Sequence, residues 1–256
     1  MRLKFYSYSL PSVTHPEENQ DAFFIDRKNN AAGLFDGVGG LSFGKEAAIS
    51  ASEFCRVELT QSGIENTLVL CHEFIKVKSE KELLKDAATT ASTIQIYPAQ
   101  SPAIIIWGNV GDSRIYHLSS GGLKQESTDD SLITQARERE WINEEREAKI
   151  NQATNLKGFS EVEKNLFDSR HILIQALGLG EMKPRIGKFR AQKRDLVLLT
   201  SDGVHDNLTN KQMEEVLKGR SQNPAKELVD KAKKVSEEGS IRAKPDDMTA
   251  IIIELF

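Results

Sequence analysis

Five aspartates, Asp21, Asp36, Asp112, Asp202 and Asp246, each stand at the end of an apolar, strand-like run or in the turn beside one. Three of them have a glycine next door, as Asp36-Gly37, Gly111-Asp112 and Asp202-Gly203. Asp-Gly is a common turn dipeptide, so any one of these reads as a turn residue or a helix cap. Five in corresponding places read as a site, because a sheet aims the groups carried at its strand ends. If the strands are neighbours, the carboxylates converge. Two like charges about 4 Å apart repel by roughly 4 kcal/mol at an effective dielectric near 20, so something positive has to sit between them. No basic cluster accompanies these residues in the sequence, and histidine is scarce near them. Hard oxygen donors without a His/Cys set point to Mg²⁺ or Mn²⁺ rather than Zn²⁺. A glycine after Asp36 would let a backbone carbonyl approach as well. The expectation is an acidic centre holding paired metal ions.

The elements that must position these residues can be read along the chain. Residues 22–26 are aromatic and β-favouring, residues 27–30 form a turn and residues 31–35 form a second apolar strand, giving a hairpin over 21–36. Residues 45–59 carry an apolar stripe of Ala47, Ala48, Ala51, Phe54, Cys55 and Leu59 at helical spacing. A second helix is expected over 65–78 and a shorter helical piece over 81–87. Strands follow at 92–97, 103–109 and 113–118, separated by Pro98 and Pro102 and then by Val110-Gly111-Asp112, with a turn at Ser119-Ser120-Gly121-Gly122. Residues 132–149 are intensely charged around Trp141 and read as one exposed helix with Glu/Arg pairs; a partner- or substrate-facing flap is the other reading. The apolar run 196–199 fits a strand buried on both faces, and it ends in Thr200-Ser201-Asp202-Gly203. Helices are expected over 209–218, capped by Thr209 or Asn210, and over 224–238, with Asn223 ahead of Pro224. Residues 248–255 form a closing strand led by Pro245-Asp246-Asp247.

The bulk properties bound the function. A chain of 256 residues with 39% apolar and 28% charged residues can bury a substantial core, and a net charge of −4 argues against a nucleic-acid binder. No apolar run approaches the roughly 20 residues needed to span a bilayer, and the start lacks the apolar core of a secretory leader. Cys55 and Cys71 lie in helix-like stretches without metal-type spacing and are expected to be buried thiols, as in a cytoplasmic protein. No repeat or low-complexity linker divides the chain. The pattern reads as one α+β layered domain, residues 1–256, with a charged helical insert or flap at about 130–168.

The segments Asn19-Gln20-Asp21, Phe35-Asp36-Gly37-Val38-Gly39-Gly40, Gly108-Asn109-Val110-Gly111-Asp112-Ser113-Arg114, Thr200-Ser201-Asp202-Gly203 and Asp246-Asp247-Met248-Thr249 stand in an order that resembles the metal-dependent protein phosphatases of the 2C type, in a bacterial-like form. Weaker echoes are Ala88-Thr89-Thr90-Ala91, Thr128-Asp129-Asp130-Ser131 and Gln175-Ala176-Leu177-Gly178, and the resemblance runs from about residue 7 to 255. It implies a four-layer α-β-β-α sandwich of two mostly antiparallel sheets flanked by helix pairs. It also implies a phosphatase that hydrolyses phosphoserine and phosphothreonine through a hydroxide bridging two Mn²⁺ or Mg²⁺ ions. By resemblance, Asp36 bridges both ions, the Gly37 carbonyl joins one of them, Asp202 and Asp246 complete the other's shell, and Asp21 acts directly or through water. Asp112 matches the ligand of a third ion. Asp36, Asp202 and Asp246 are then catalytic through the ions, with no protein nucleophile and no organic cofactor. The implied partners are phosphorylated Ser/Thr proteins, the targets of a cognate kinase, acted on by a monomer without nucleic acid or membrane. A non-catalytic relative that binds phosphoproteins is the alternative, and a Ca²⁺-stabilised structural domain is a further one.

The sequence departs from the family pattern at several places. Where many members have a phosphate-binding arginine, five positions before the first aspartate, this chain has Pro16, with His15 beside it. Val38 and Leu41 stand where other members place a histidine, which leaves the leaving-group acid unassigned, with metal-bound water as the default. The last motif has Asp246-Asp247 where Asp-Asn is commonest; Asp246 is expected to be the ligand and Asp247 an orienting neighbour. His205, just past Asp202, is read as a packing or capping residue ahead of a site role.

Overall fold

A computed structural model describes residues 1–38, 43–82, 86–98, 102–219 and 221–256, with the side chain of residue 82 left aside. Among the described residues, ten strands form two five-stranded sheets, all of whose pairings are antiparallel. The first has the order β1 (Leu3–Leu10), β10 (Met248–Leu255), β9 (Leu196–Thr200), β6 (Arg114–Ser119) and β7 (Gly122–Gln125). The second has the order β2 (Asp21–Asp26), β3 (Ala31–Asp36), β4 (Ala91–Tyr97), β5 (Ala103–Val110) and β8 (Arg185–Ala191).

Strand periodicity explains how the layers stack. In β3, Ala32 and Leu34 join Ile94 and Ile105 of their own sheet and Val197, Leu199, Ile251 and Ile253 of the other in the core between the sheets. The alternate residues Ala31 and Phe35 face outward onto α1 (Gly44–Glu82), where Ala47, Ala48, Ala51, Cys55, Leu59, Leu68 and Cys71 cover them. On the far side, Leu198, Ala250 and Ile252 meet Val204 of α5 (Asp202–His205), Met213 and Leu217 of α6 (Asn210–Leu217), and Leu228, Val229 and Ala232 of α7 (Pro224–Glu237). The result is the expected α-β-β-α sandwich. Both cysteines are free and fully buried, and among the described residues no helix is long and apolar enough to cross a membrane.

The helix pair expected over 45–59 and 65–78 is present as the two halves of α1, broken at Gly63, whose φ of 73° takes it out of the helix. Of the piece expected over 81–87, Lys81 and Glu82 end α1, residues 83–85 lie outside the described residues, and Asp86 lies in a turn. Thr209 and Asn223 cap α6 and α7 through their side chains.

The single charged helix expected over 132–149 is instead two, α2 (Leu132–Glu138) and α3 (Glu144–Asn151). The backbone turns left-handed at Glu140 (φ 59°), the amides of Trp141 and Ile142 close on the Ala136 carbonyl, and Asn143 accepts from the Arg146 amide to start α3. A third helix, α4 (Glu161–Asp168), follows a reciprocal cap of Ser160 and Glu163. The three helices bury Ile133, Ala136, Ile150, Ala153, Leu166 and Phe167 in a small core of their own, so the insert has an inner face as well as a solvated one.

Candidate metal centre

The first two aspartates are brought together by the hairpin: Asp21 opens β2, Asp36 closes β3, and they are register partners. The backbone of Asp36 is held on both sides. Its amide donates to Thr90 Oγ1 (3.0 Å), and its carbonyl accepts from the Thr90 amide (2.8 Å) and from Thr89 Oγ1 (2.9 Å). The weak Ala88-Thr89-Thr90-Ala91 echo is thus the clamp that fixes the strand end. Gly37 is small for a packing reason: a Cβ there would lie 2.5 Å from the carbonyl carbon of Gly44, at the start of α1. Gly39, Gly40 and Leu41 lie outside the described residues.

The other aspartates arrive from the second halves of both sheets. Asp112 sits in the turn between β5 and β6, where Gly111 (φ 90°) exchanges hydrogen bonds with the carboxylate and amide of Asp130. Asp130 in turn accepts from Arg185 (2.6 Å), and Asp129 is gripped by the buried Arg114 (2.7 Å), which accounts for the second echo. Asp202 is the first residue of α5, directly after β9. Asp246 precedes β10, and its neighbour Asp247 is buried, accepting the amides of Ser12 (2.7 Å) and Gln20 (2.8 Å) on its two carboxylate oxygens. Both oxygens of Asp247 therefore tie the segment between β1 and β2 to β10.

Asp36, Gly37, Asp112, Asp202 and Asp246 line one cavity of about 260 Å³, together with Val38, Thr90, His171, Leu173 and Lys244. Asp21 stands against it, accepting from Ser201 Oγ (2.8 Å). Of these residues, Lys244, His171 and Leu173 had not been singled out from the sequence. No basic cluster stands near the aspartates in the sequence, but one lysine reaches them in the fold: the Lys244 ammonium contacts Asp202 and lies 3.2 Å from Asp246 and 3.7 Å from Asp206. A larger cavity of about 730 Å³ around His117, Arg190 and Arg194 shares none of these residues, and its Asp195 is already taken by His117 and the Gln192 amide. The chemistry, not the size, marks the acidic cavity as the site.

Crowding shows in the protonation of the site. Burial pushes the Asp21 carboxyl up to about 8, with repulsion from Asp247 and Asp202 adding to it against hydrogen bonds from Thr249 and Ser201. Burial pushes Asp202 up to about 6, restrained by Lys244. Asp36 is held well above the usual carboxylate range by burial and then by Asp21, Asp202, Asp246 and Asp112. Asp112 is raised in the same way by burial and Asp202. A single lysine does not balance this set. Two buried oxygens, Asp21 Oδ1 and Asp202 Oδ1, have no hydrogen-bond partner among the described residues. Acceptors orphaned in this way cost free energy unless a cation or donor meets them, and an all-oxygen donor set suits Mg²⁺ or Mn²⁺. The residues fit such ions.

The histidines near the motifs divide by role. His205 is buried, pairs with Thr200 Oγ1 (2.9 Å), and is driven well below its ordinary pKa by burial and then by Arg114 and Lys244, so it is a neutral packing residue. His15, beside Pro16, is 39% exposed at its side chain, hydrogen-bonds the Glu18 carbonyl and lies 3.7 Å from Asp247. With Asp246 and Asp247 it forms a group whose ligand atoms fall within 4.8 Å of one another.

Comparison with known proteins agrees with this architecture. The profile of the family described as Protein phosphatase 2C matches residues 28–241. A serine/threonine phosphatase stp of Listeria innocua is 27% identical over 94% of this chain and 90% of its own length, and one of Listeria monocytogenes is 26% identical over 94% and 91%. Among solved structures, the Mycobacterium tuberculosis serine/threonine phosphatase PstP/Ppp superposes with a TM-score of 0.78 at 20% identity, covering 100% of this chain and 99% of that one. A PstP catalytic domain in complex with two manganese ions gives 0.75 at 20% identity, covering 98% and 97%. The profile spans most of the chain and the sandwich matches throughout, so this chain belongs to the protein phosphatase 2C family.

Proposed function

We propose that the acidic cavity is a binuclear metal centre at which this chain, a serine/threonine phosphatase by family, hydrolyses phosphoserine and phosphothreonine on proteins. The observation that carries the reading is the pair of orphaned oxygens, Asp21 Oδ1 and Asp202 Oδ1, in a cluster of carboxylates too crowded to ionise together. Asp21, Asp36, the Gly37 carbonyl, Asp202 and Asp246 would hold the ions, and four of these five residues line the cavity itself. When bound, two such ions lower the pKa of a shared water and clamp the attacking and leaving oxygens of an in-line displacement.

The chain's own residues supply position and charge. Thr89 and Thr90 hold the Asp36 backbone, which fixes the strand end from which its carboxylate projects. Asp247 spends its oxygens on Ser12 and Gln20, which leaves Asp246 to face the cavity. His171 and Leu173, which follow α4, bring the insert to the cavity's edge, where an incoming phosphoprotein would meet it. With proline at residue 16, phosphate capture rests on the ions and on Lys244 and His171, the cationic and imidazole side chains that line the cavity among the described residues.

The test is Mn²⁺-dependent hydrolysis of p-nitrophenyl phosphate and of a phosphothreonine peptide. The wild-type chain turns over both and Asp202→Ala turns over neither; a wild type as inactive as Asp202→Ala, yet still binding phosphoprotein, would establish the non-catalytic alternative instead.

A further inference from the structure

Residues 185–194 carry Arg185, Lys188, Arg190, Lys193 and Arg194 and no acidic residue, in a chain whose net charge is −4. Arg185 is engaged by Asp130 (2.6 Å) and Glu138 (3.0 Å). Arg190, Lys193 and Arg194 are exposed and have no ion-pair partner among the described residues. Lysines on the helices differ: Lys218 and Lys226 lie on carboxylates one turn away, at Glu214 and Asp230. The three unpaired cations all line the cavity of about 730 Å³, which is walled by the ends of β6 and α6 and by the turn from β8 to β9.

The carboxylates in that wall, Asp195 and Glu254, are turned to other partners. Asp195 Oδ2 meets His117 Nε2 (2.9 Å) and accepts the Gln192 amide (2.7 Å), and Glu254 accepts from the Tyr6 hydroxyl (3.3 Å). The turn itself is fixed to the end of β10. The Arg194 amide donates to the Leu255 carbonyl (2.6 Å), and the Leu255 amide donates to the Asp195 carbonyl (3.1 Å). Arg194 is held there at φ 78°, a left-handed conformation that glycine adopts without strain. The strained position therefore keeps a guanidinium on the cavity where the backbone alone would favour glycine.

This cavity stands at the opposite end of the strands that lead to the acidic one. β9 runs from Leu196, in the cavity wall, to Thr200, about 13 Å of strand, before Asp202 begins α5. Guanidinium forks match phosphate oxygens, and three cations around one cavity exceed the charge of a single phosphate group. A volume of about 730 Å³ suits a small ligand rather than a flat protein face. We propose that this cavity is a second anion site, remote from the metal centre, which takes a small molecule bearing two or more phosphate groups on Arg190, Lys193 and Arg194.

The test is calorimetric titration of the metal-stripped full chain, in EDTA, with sodium pyrophosphate, with ADP, and with citrate as a multivalent anion that lacks phosphate. Pyrophosphate and ADP bind, more weakly as salt rises, and Arg190→Ala combined with Arg194→Ala weakens both by roughly tenfold or more. Both side chains are exposed and unpaired, so this double variant melts with the wild type and, in MnCl₂, turns over p-nitrophenyl phosphate at the wild-type rate. Asp202→Ala, which alters the acidic cavity, binds pyrophosphate as the wild type does. No binding of pyrophosphate or ADP, equal binding by the double variant, loss of binding in Asp202→Ala, or citrate bound as tightly as pyrophosphate each overturn the inference. It stands apart from the binuclear reading: pyrophosphate binding without Mn²⁺-dependent turnover refutes that reading only, and turnover without pyrophosphate binding refutes the anion site only.

Discussion

The adjacent carboxylates Asp246 and Asp247 have opposite surroundings, and single substitutions separate their roles. Asp247 is 3% exposed and accepts two backbone amides, from Ser12 at 2.7 Å and Gln20 at 2.8 Å. Asp247→Ala leaves both donors without a partner, at about 1–3 kcal/mol each. Part of that returns, because Asp247 is itself raised by burial and repels Asp202 and Asp21. The net loss is on the order of 3 kcal/mol. For a domain of this size each kcal/mol lowers Tm by about 2–4 °C, so the metal-free variant melts roughly 6–12 °C below the wild type. Asp246 is 34% exposed at its side chain and pairs with Lys244 at 3.2 Å, an interaction worth no more than about 1 kcal/mol when partly screened. Asp246→Ala therefore melts near the wild type in EDTA but loses the stabilisation that Mn²⁺ gives. The assay is thermal melting of both variants in EDTA and in MnCl₂. The reasoning is refuted if Asp247→Ala is neutral in EDTA and insensitive to Mn²⁺ while Asp246→Ala is the destabilised one.

Gly203→Ala places a Cβ 2.0 Å from the Asp247 carbonyl oxygen, a backbone atom that cannot yield, and is expected to cost several kcal/mol, read as a loss of Tm or of soluble protein. In EDTA the chain loses stability as pH rises from 6 to 8: Asp21 keeps its proton in the fold up to about 8 but has lost it in the unfolded chain, so the folded state binds the extra proton. The Mn²⁺-induced rise in Tm is correspondingly larger at pH 8 than at pH 6, and melting curves with and without the ion check it. Deleting residues 132–163 is expected to spare p-nitrophenyl phosphate turnover while impairing phosphoprotein turnover. It also lowers Tm, because Arg242 loses the Asn151 and Ala153 carbonyls it donates to; equal losses on both substrates would contradict this.

The acidic strand ends were legible because the strands that carry them are apolar on alternating or on both faces. β9 and β10 read directly from Leu196–Thr200 and Met248–Leu255, and the hairpin from its turn. The strands β1, β7 and β8 did not stand out. β8 is RIGKFRA at a sheet edge, where charged residues point to solvent and hide the period of two. The charged insert read as one helix because Glu/Arg spacing continues across residues 139–143, while the break depends on a left-handed Glu140 and a cap at Asn143. The glycine after Asp36 was legible as a need for closeness, but what approaches it, the backbone of Gly44, required the fold. Lys244 escaped notice although it is two residues from Asp246. Its meaning comes from Asn207, 37 positions away in sequence, which turns a loop lysine into part of the site.

The most direct test of the account is anomalous diffraction at the manganese edge from crystals of the wild-type chain grown with MnCl₂. Two ions are expected, both ligated by Asp36, one also by Asp21 and the Gly37 carbonyl and the other by Asp202 and Asp246. A single ion, or manganese bound away from Asp36, would contradict the account.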